Sequence, residues 1–130
     1  MLAVGKVRPP YADDVEHYRK MLAGHVKIDQ VEVREDEKVQ PRIPDRALTV
    51  LLASDGRMLS SEEFSDWLEE RRRDGRDVCF VVGGPKGLDI EADLRMSLGP
   101  MTLPHQLARV VLLEQLYRAH KILAREPYHY

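Results

Sequence analysis

The sequence predicts an α/β domain: a largely parallel sheet flanked by helices. Three observations carry this. Strand-like and helix-like patterns alternate along the chain, which favours βα units over separate layers. Residues 48 to 53 and 78 to 82 are short, continuous apolar runs, the mark of strands buried on both faces. A single long helical pattern closes the chain, from about 105 to 125. With 130 residues there is room for one domain.

The elements follow in order. Residues 1 to 4 begin a short strand, and after the breaker Pro9-Pro10 a helix is expected from about 13 to 22. Residues 26 to 33 alternate imperfectly as a second strand. From 35 to 45 the chain carries Glu35-Asp36-Glu37-Lys38 and two prolines without helical periodicity, so a polar linker is expected. The apolar strand at 48 to 53 should end in the turn Ser54-Asp55-Gly56. A helix then runs from 61 to 73, opened by Ser60 and Glu63 at capping-box spacing and stopped by Asp74-Gly75. The strand around Cys79 empties into Gly83-Gly84-Pro85-Lys86-Gly87. A short helix, a short strand and the irregular segment at 97 to 103 lead to the final helix.

Composition excludes several functions. No apolar run approaches the roughly 18 residues of a membrane span, and Met1-Leu2-Ala3-Val4-Gly5-Lys6 lacks the features of a signal peptide. A cytoplasmic location and no membrane partner are expected. Cys79 is the only cysteine, so neither an internal disulfide nor a cysteine-based zinc site can form. His105, His120 and His129 are not set among acidic residues at metal-binding spacings, and no metal is expected. There is no GxSxG elbow and no HExxH. A net charge of −2 argues against a general nucleic-acid binder but leaves room for local basic surface. Arg71-Arg72-Arg73 and the Arg118/Lys121/Arg125 stripe are two candidates, with a solvated helix end the favoured reading of the first.

On a wheel of about 100° per residue, Glu114, Arg118, Lys121 and Arg125 form one narrow polar stripe of the final helix. Most of the remainder is apolar, over an arc wider than the roughly 100° of an ordinary surface helix. One sheet cannot cover such an arc, so a second subunit, and hence a homodimer, is expected. His105 and Arg109 lie within that arc, one turn apart. A buried guanidinium demands a partner: either a carboxylate of the protein or an anionic ligand such as nucleic acid.

Three loops are expected to converge on one sheet edge, at 53 to 57, 83 to 87 and 97 to 103. Open α/β sheets bind ligands at the carboxyl ends of their strands. Adjacent glycines at 83 and 84 permit close approach to the backbone. Gly83 to Gly87 has neither Walker A nor GxGxxG spacing, so no nucleoside triphosphate or dinucleotide is expected. The apolar loop Ser97-Leu98-Gly99-Pro100-Met101-Thr102-Leu103 can offer backbone groups within an apolar cleft, as a flat purine requires.

A run of motifs in register gives these features a family. Val50-Leu51-Leu52 with Gly56, Asp74-Gly75-Arg76-Asp77, Val82 through Leu88, Met101-Thr102-Leu103-Pro104-His105, Arg109, Glu114-Gln115-Leu116-Tyr117-Arg118-Ala119 and Tyr128-His129 resemble, in order, the motifs of the RlmH family of ribosomal RNA methyltransferases. The resemblance covers nearly all of 48 to 129 and returns weakly at Ala3-Val4-Gly5-Lys6. It implies a SPOUT-class fold with a C-terminal trefoil knot, a homodimer, and S-adenosylmethionine as methyl donor. The implied reaction is methylation of N3 of a pseudouridine in 23S rRNA on the assembled ribosome. The adenosyl group would lie against Leu52, Gly83 and the stretch Leu98, Gly99, Pro100, Met101, Thr102 and Leu103. His129, Tyr128 and His105 become the acid/base candidates, His129 first, with Arg109 and Arg118 as phosphate contacts.

The chain also departs from the family pattern. It is shorter around 35 to 45, where an additional helix is expected. Ala53 stands where an aspartate is usual, and Tyr130 replaces a terminal basic residue. Two other readings compete with the leading one: a catalytically silent knotted dimer that binds RNA or ribosomes, and a SPOUT enzyme acting on a different RNA.

Overall fold

A computed structural model of the chain describes residues 1–84, 88 and 90–128. The elements are β1 (Leu2–Val4), α1 (Tyr11–Leu22), β2 (Val31–Val33), a 3-10 turn (Asp36–Lys38), α2 (Val39–Arg42), β3 (Leu48–Met58), α3 (Ser61–Asp74), β4 (Val78–Val82), β5 (Leu94–Ser97) and α4 (His105–Leu123). The strands form one sheet in the order β2-β1-β4-β3-β5, and every pair is parallel. All five strands therefore discharge their loops at the same edge.

Alternation along the strands divides the core in two. Ala3, Leu48, Val50, Phe80, Val82 and Met96 face the three long helices. Val4, Val33, Leu51, Cys79 and Val81 face the opposite side, where Val39 of α2 and Ile90 help to cover them. The apolar runs at 48 to 53 and 78 to 82 are continuous because both faces are covered. The α3 capping box forms as spaced: the Ser60 hydroxyl accepts from Glu63 N–H at 3.0 Å, and the Glu63 carboxylate accepts from Ser60 N–H at 2.8 Å. Gly75 ends the helix at φ 69°, where a side chain would be strained.

Several expectations change. The 35 to 45 stretch is not a bare linker: it holds the 3-10 turn and α2, and Val39 is fully buried. A four-residue helix has too few positions to display a period, so only that one burial betrays it. β2 is limited to Val31–Val33; it is an edge strand, and Val26 is 36% exposed. The short helix expected between β4 and β5 falls on a stretch in which 85–87 and 89 lie outside the described residues.

The wide apolar arc of α4 is covered largely from within the chain. α4 packs between α1 and α3 above the sheet, and none of its 19 residues is exposed. Two neighbouring helices supply much of the cover that the sheet alone could not, so the arc by itself does not require a second subunit.

The turn at Ser54-Asp55-Gly56 is an excursion inside β3. The register with β5 jumps there: Met96 sits opposite both Leu52 and Arg57, so residues 53 to 56 loop out and the strand resumes. Gly56 is where the returning chain crosses β5. A Cβ at Gly56 would lie 2.6 Å from the Arg95 carbonyl carbon and 2.7 Å from Met96 N. Backbone atoms cannot yield as a side chain can. Gly56→Ala is expected to destabilise the fold by about 1–3 kcal/mol, read as a lower urea midpoint with an unchanged slope.

Candidate active site

At the carboxyl edge of the sheet, the ends of β3, β4 and β5 and the start of α4 enclose a cleft of ≈ 430 Å³. That volume lies within the roughly 300–1,000 Å³ of small-molecule sites. Leu52 comes from β3 at the point where the excursion begins, and Gly83 and Gly84 form the floor beyond β4. Leu98, Gly99, Met101, Thr102 and Leu103 come from the loop after β5, and His105 from the first turn of α4. The described parts of the three loops expected to converge meet here, while 85 to 87 lie outside the described residues. Pro100 belongs to the same loop, but it is exposed and does not line the cleft.

The 97 to 103 loop is held by its own side chain. The buried Ser97 hydroxyl donates to the Gly99 carbonyl at 2.7 Å and accepts from Gly99 N–H at 3.1 Å. That closure places Gly99 at φ 145°, a conformation glycine adopts without strain. Leu98 and Leu103 thus stand on a preformed turn, whereas Met101 is 79% exposed at the mouth.

The cleft contains polar residues not assigned from the sequence. Ser54, Asp55 and Arg95 line it, and Arg95 Nη2 donates to Asp55 Oδ1 at 3.0 Å. That hydrogen bond, reinforced by the guanidinium charge, holds the Asp55 carboxyl below its usual range. Asp55 was legible as a turn residue at a strand end. Arg95 had no signal, because its place opposite Leu51 follows from a pairing between strands distant in sequence.

Arg109 is only 3% exposed, and its Nη1 donates to Glu32 Oε2 at 2.8 Å. A carboxylate of this chain thus answers the guanidinium, and Arg109 has no surface from which to touch a phosphate. Glu32 also accepts from Val7 N–H at 2.9 Å. Burial works to raise the Glu32 pKa, but the Val7 N–H, Arg109 and the charge of Lys6 outweigh it, and the net direction is down.

The tail lies elsewhere on α4. Tyr128 OH donates to Glu114 Oε2 at 3.2 Å, and its ring meets Tyr117 edge-on with centroids 4.8 Å apart. Arg118 donates to the same carboxylate, with Nε–Oε2 3.1 Å and Nη2–Oε2 3.0 Å, and its guanidinium lies 5.1 Å from the centre of the Tyr128 ring. Burial first, then the Glu114 charge and Tyr18, push the Tyr128 phenol well above its ordinary pKa, so it stays a proton donor near neutrality. Glu114 is nine residues beyond His105, about 14 Å along the helix. Tyr128 and Arg118 are therefore not brought to the cleft of their own chain. His129 lies outside the described residues.

Arg71, Arg72 and Arg73 pair with Glu70, Glu69 and Asp74 and form a solvated helix end. Among the described residues no group of three or more His, Cys, Asp or Glu could hold a metal ion, and no helix is long and apolar enough to cross a membrane.

A parallel sheet flanked by helices, with a cleft of small-molecule size across three strand ends, defines an α/β domain of the open-sheet class. The chain belongs to the SPOUT methyltransferases: the family model described as "Predicted SPOUT methyltransferase" matches residues 1–129. Among similar proteins is the Ribosomal RNA large subunit methyltransferase H of Gemmatimonas aurantiaca, 36% identical over 149 positions that cover 99% of this chain and 97% of that one. Proteins of the same name are similar in Stenotrophomonas maltophilia, at 39% over 150 positions (99% and 96% covered), and Listeria monocytogenes, at 39% over 155 positions (99% and 97% covered). These alignments are longer than the 130-residue chain, so the relatives carry segments that it lacks.

The Glu32–Arg109 pair makes an asymmetric prediction. Removing Glu32 strands a cation that is 3% exposed, whereas removing Arg109 leaves a carboxylate that is 36% exposed and can be hydrated. Glu32→Ala should cost about 3–5 kcal/mol, the range for breaking a buried pair, and Arg109→Met less. Because the folded pKa of Glu32 lies below its ordinary 4.5, the contribution is complete above about that pH and is lost as pH falls through the lowered value. Urea melts between pH 3 and 7 should show a steeper acid limb in the unsubstituted protein than in Arg109→Met.

Proposed function

We propose that this chain is a S-adenosylmethionine-dependent ribosomal RNA methyltransferase that acts on N3 of a pseudouridine in 23S rRNA within the ribosome, and therefore in the cytoplasm. One observation carries the cofactor assignment. The cleft has apolar walls at Leu52, Leu98 and Leu103, a glycine floor, and an Asp55–Arg95 pair at one side. An apolar slot bordered by backbone groups suits an adenine, and paired charges suit the amino and carboxylate ends of a methionine moiety. Gly83 and Gly84 keep the floor free of side chains, and the Ser97 lock fixes the loop before any ligand arrives. When bound, the cofactor supplies a methyl group already activated by its sulfonium charge.

The protein's own work is then to orient the base, exclude water and receive the N3 proton. Orientation supplies much of the acceleration, because neither reactant needs further activation beyond that proton. His105 stands in the cleft wall and is the described histidine in reach of a base docked at the mouth; His129 is the other candidate. Tyr128, held protonated, would donate a hydrogen bond rather than act as base. Arg118, fixed by Glu114, is the α4 residue assigned to phosphate contact. Arg109 is not, because at 3% exposure it has no surface to offer a phosphate, whereas Arg118 keeps 21%.

The distance along α4 between the cleft and the Tyr128–Arg118 cluster supports a homodimer in which one subunit's tail completes the other's cleft. The trefoil knot of the family belongs to the same proposal, since its strand-end loops are the ones that meet in this cleft.

The test combines two defective chains. Gly83→Val should place a side chain on the floor and abolish S-adenosylmethionine binding in calorimetry without unfolding the domain. Deletion of residues 128–130 should leave cofactor binding nearly intact while methyl transfer to unmodified ribosomes falls at least ~100-fold, the scale of a lost acid/base group. Mixed and allowed to exchange subunits, the two inactive proteins should regain activity, because the mixed dimer holds one whole site. Unchanged cofactor affinity in folded Gly83→Val would reject the cleft assignment, and no recovery on mixing would reject the shared site.

A further inference from the structure

The segment between β1 and α1, residues 5 to 10, is an exposed irregular strap tied down along its length. Gly5 N–H donates to the Val33 carbonyl at 2.7 Å, and Val7 N–H to Glu32 Oε2 at 2.9 Å. Arg8 N–H donates to Gln106 Oε1 at 2.7 Å, and the buried Arg109 donates to the Gly5 carbonyl at 3.4 Å. Four hydrogen bonds from two separate elements, β2 and α4, thus fix this surface loop. Between them Val7 turns into the core, while Lys6 and Arg8 stand exposed, and among the described residues neither forms an ion pair.

The strap adjoins the cleft. β1 runs parallel to β4 with Ala3 opposite Val82, so both chains leave the sheet at the same edge. A Cβ on Gly84 would touch Val4 Cγ1 at 3.4 Å, and Gln106, which holds Arg8, follows His105 in the cleft wall. Of the arginines that stand out in the sequence, Arg71 to Arg73 pair within their own helix, Arg118 with Glu114 and Arg109 with Glu32.

We infer that this strap is a docking element for the RNA phosphate backbone, with Lys6 and Arg8 as the contacting cations and the Glu32–Arg109 pair as their support. The inference rests on the rRNA reading and extends it. Two cations on a rigid frame lose little entropy when they meet a phosphate, and a protein of net charge −2 must place its positive charge locally to attract RNA. Arg109 thereby acts on RNA at one remove, as a positioning residue.

The experiment measures equilibrium binding of the full chain to unmodified ribosomes across a salt series, with methyl transfer followed separately. Lys6→Ala/Arg8→Ala should raise Kd at least tenfold near 0.1 M salt and reduce the slope of log K against log salt by about 1.4–1.8 units, the value for two phosphate contacts. Cofactor affinity and the rate at saturating ribosomes should be unchanged, and the swap Lys6→Arg/Arg8→Lys should restore binding. Arg109→Met should weaken ribosome binding without changing the charge that the strap presents. An unaltered Kd and slope in the folded double variant overturns the inference. If the double variant binds weakly but the unsubstituted protein methylates nothing, the strap stands and the reading of the enzyme falls.

Discussion

A guanidinium with 3% exposure needs a partner of opposite charge, and here Glu32 provides it. Glu32 lies on an edge strand of three residues, which could easily fray. Arg109 of the long helix reaches across to it, and the same carboxylate takes the N–H of Val7. One ion pair thus joins the sheet edge, the strap after β1 and the helix whose first turn forms the cleft wall. Without it the edge strand would have little besides three rungs of pairing with β1.

The cleft arises from a defect in regular structure. Were β3 to run straight past Leu52, its side chains would continue the sheet and leave no recess. Instead residues 53 to 56 leave the ladder and rejoin it opposite the same β5 residue, Met96, which is possible only because Gly56 crosses the β5 backbone without a Cβ. The bulge brings Ser54 and Asp55 to the rim opposite Arg95. Rigidity on the far side comes from Ser97, whose hydroxyl closes a ring with Gly99. A preformed recess spares a ligand the cost of ordering its own site.

On α4, chemistry is divided between two ends. His105 opens into the cleft, whereas Glu114 gathers Gln115, Arg118 and Tyr128 about 14 Å further along. A helix is rigid over this length, so no local motion merges the two groups within one chain. Their separation, and not the apolar arc of the helix, which α1 and α3 largely cover, is the physical ground on which the proposed homodimer rests.

By itself the sequence determined what short-range chemistry determines. Continuous apolar runs marked β4 and the first half of β3, Ser60 and Glu63 fixed the start of α3, Gly75 fixed its end, and the glycine and Gly-Pro loops located three walls of the cleft. These signals lie within a few residues of what they specify. Only the tertiary structure decided the partner of Arg109, because Glu32 is 77 positions away and many carboxylates were available. The same holds for Arg95 in the cleft, for the strap that presents Lys6 and Arg8, and for the helices that cover α4. α2 escaped because four residues show no period, and β3 was cut short because a bulge and a turn use the same residues. Local pattern states which groups need a partner, and the path of the chain decides which partner each receives.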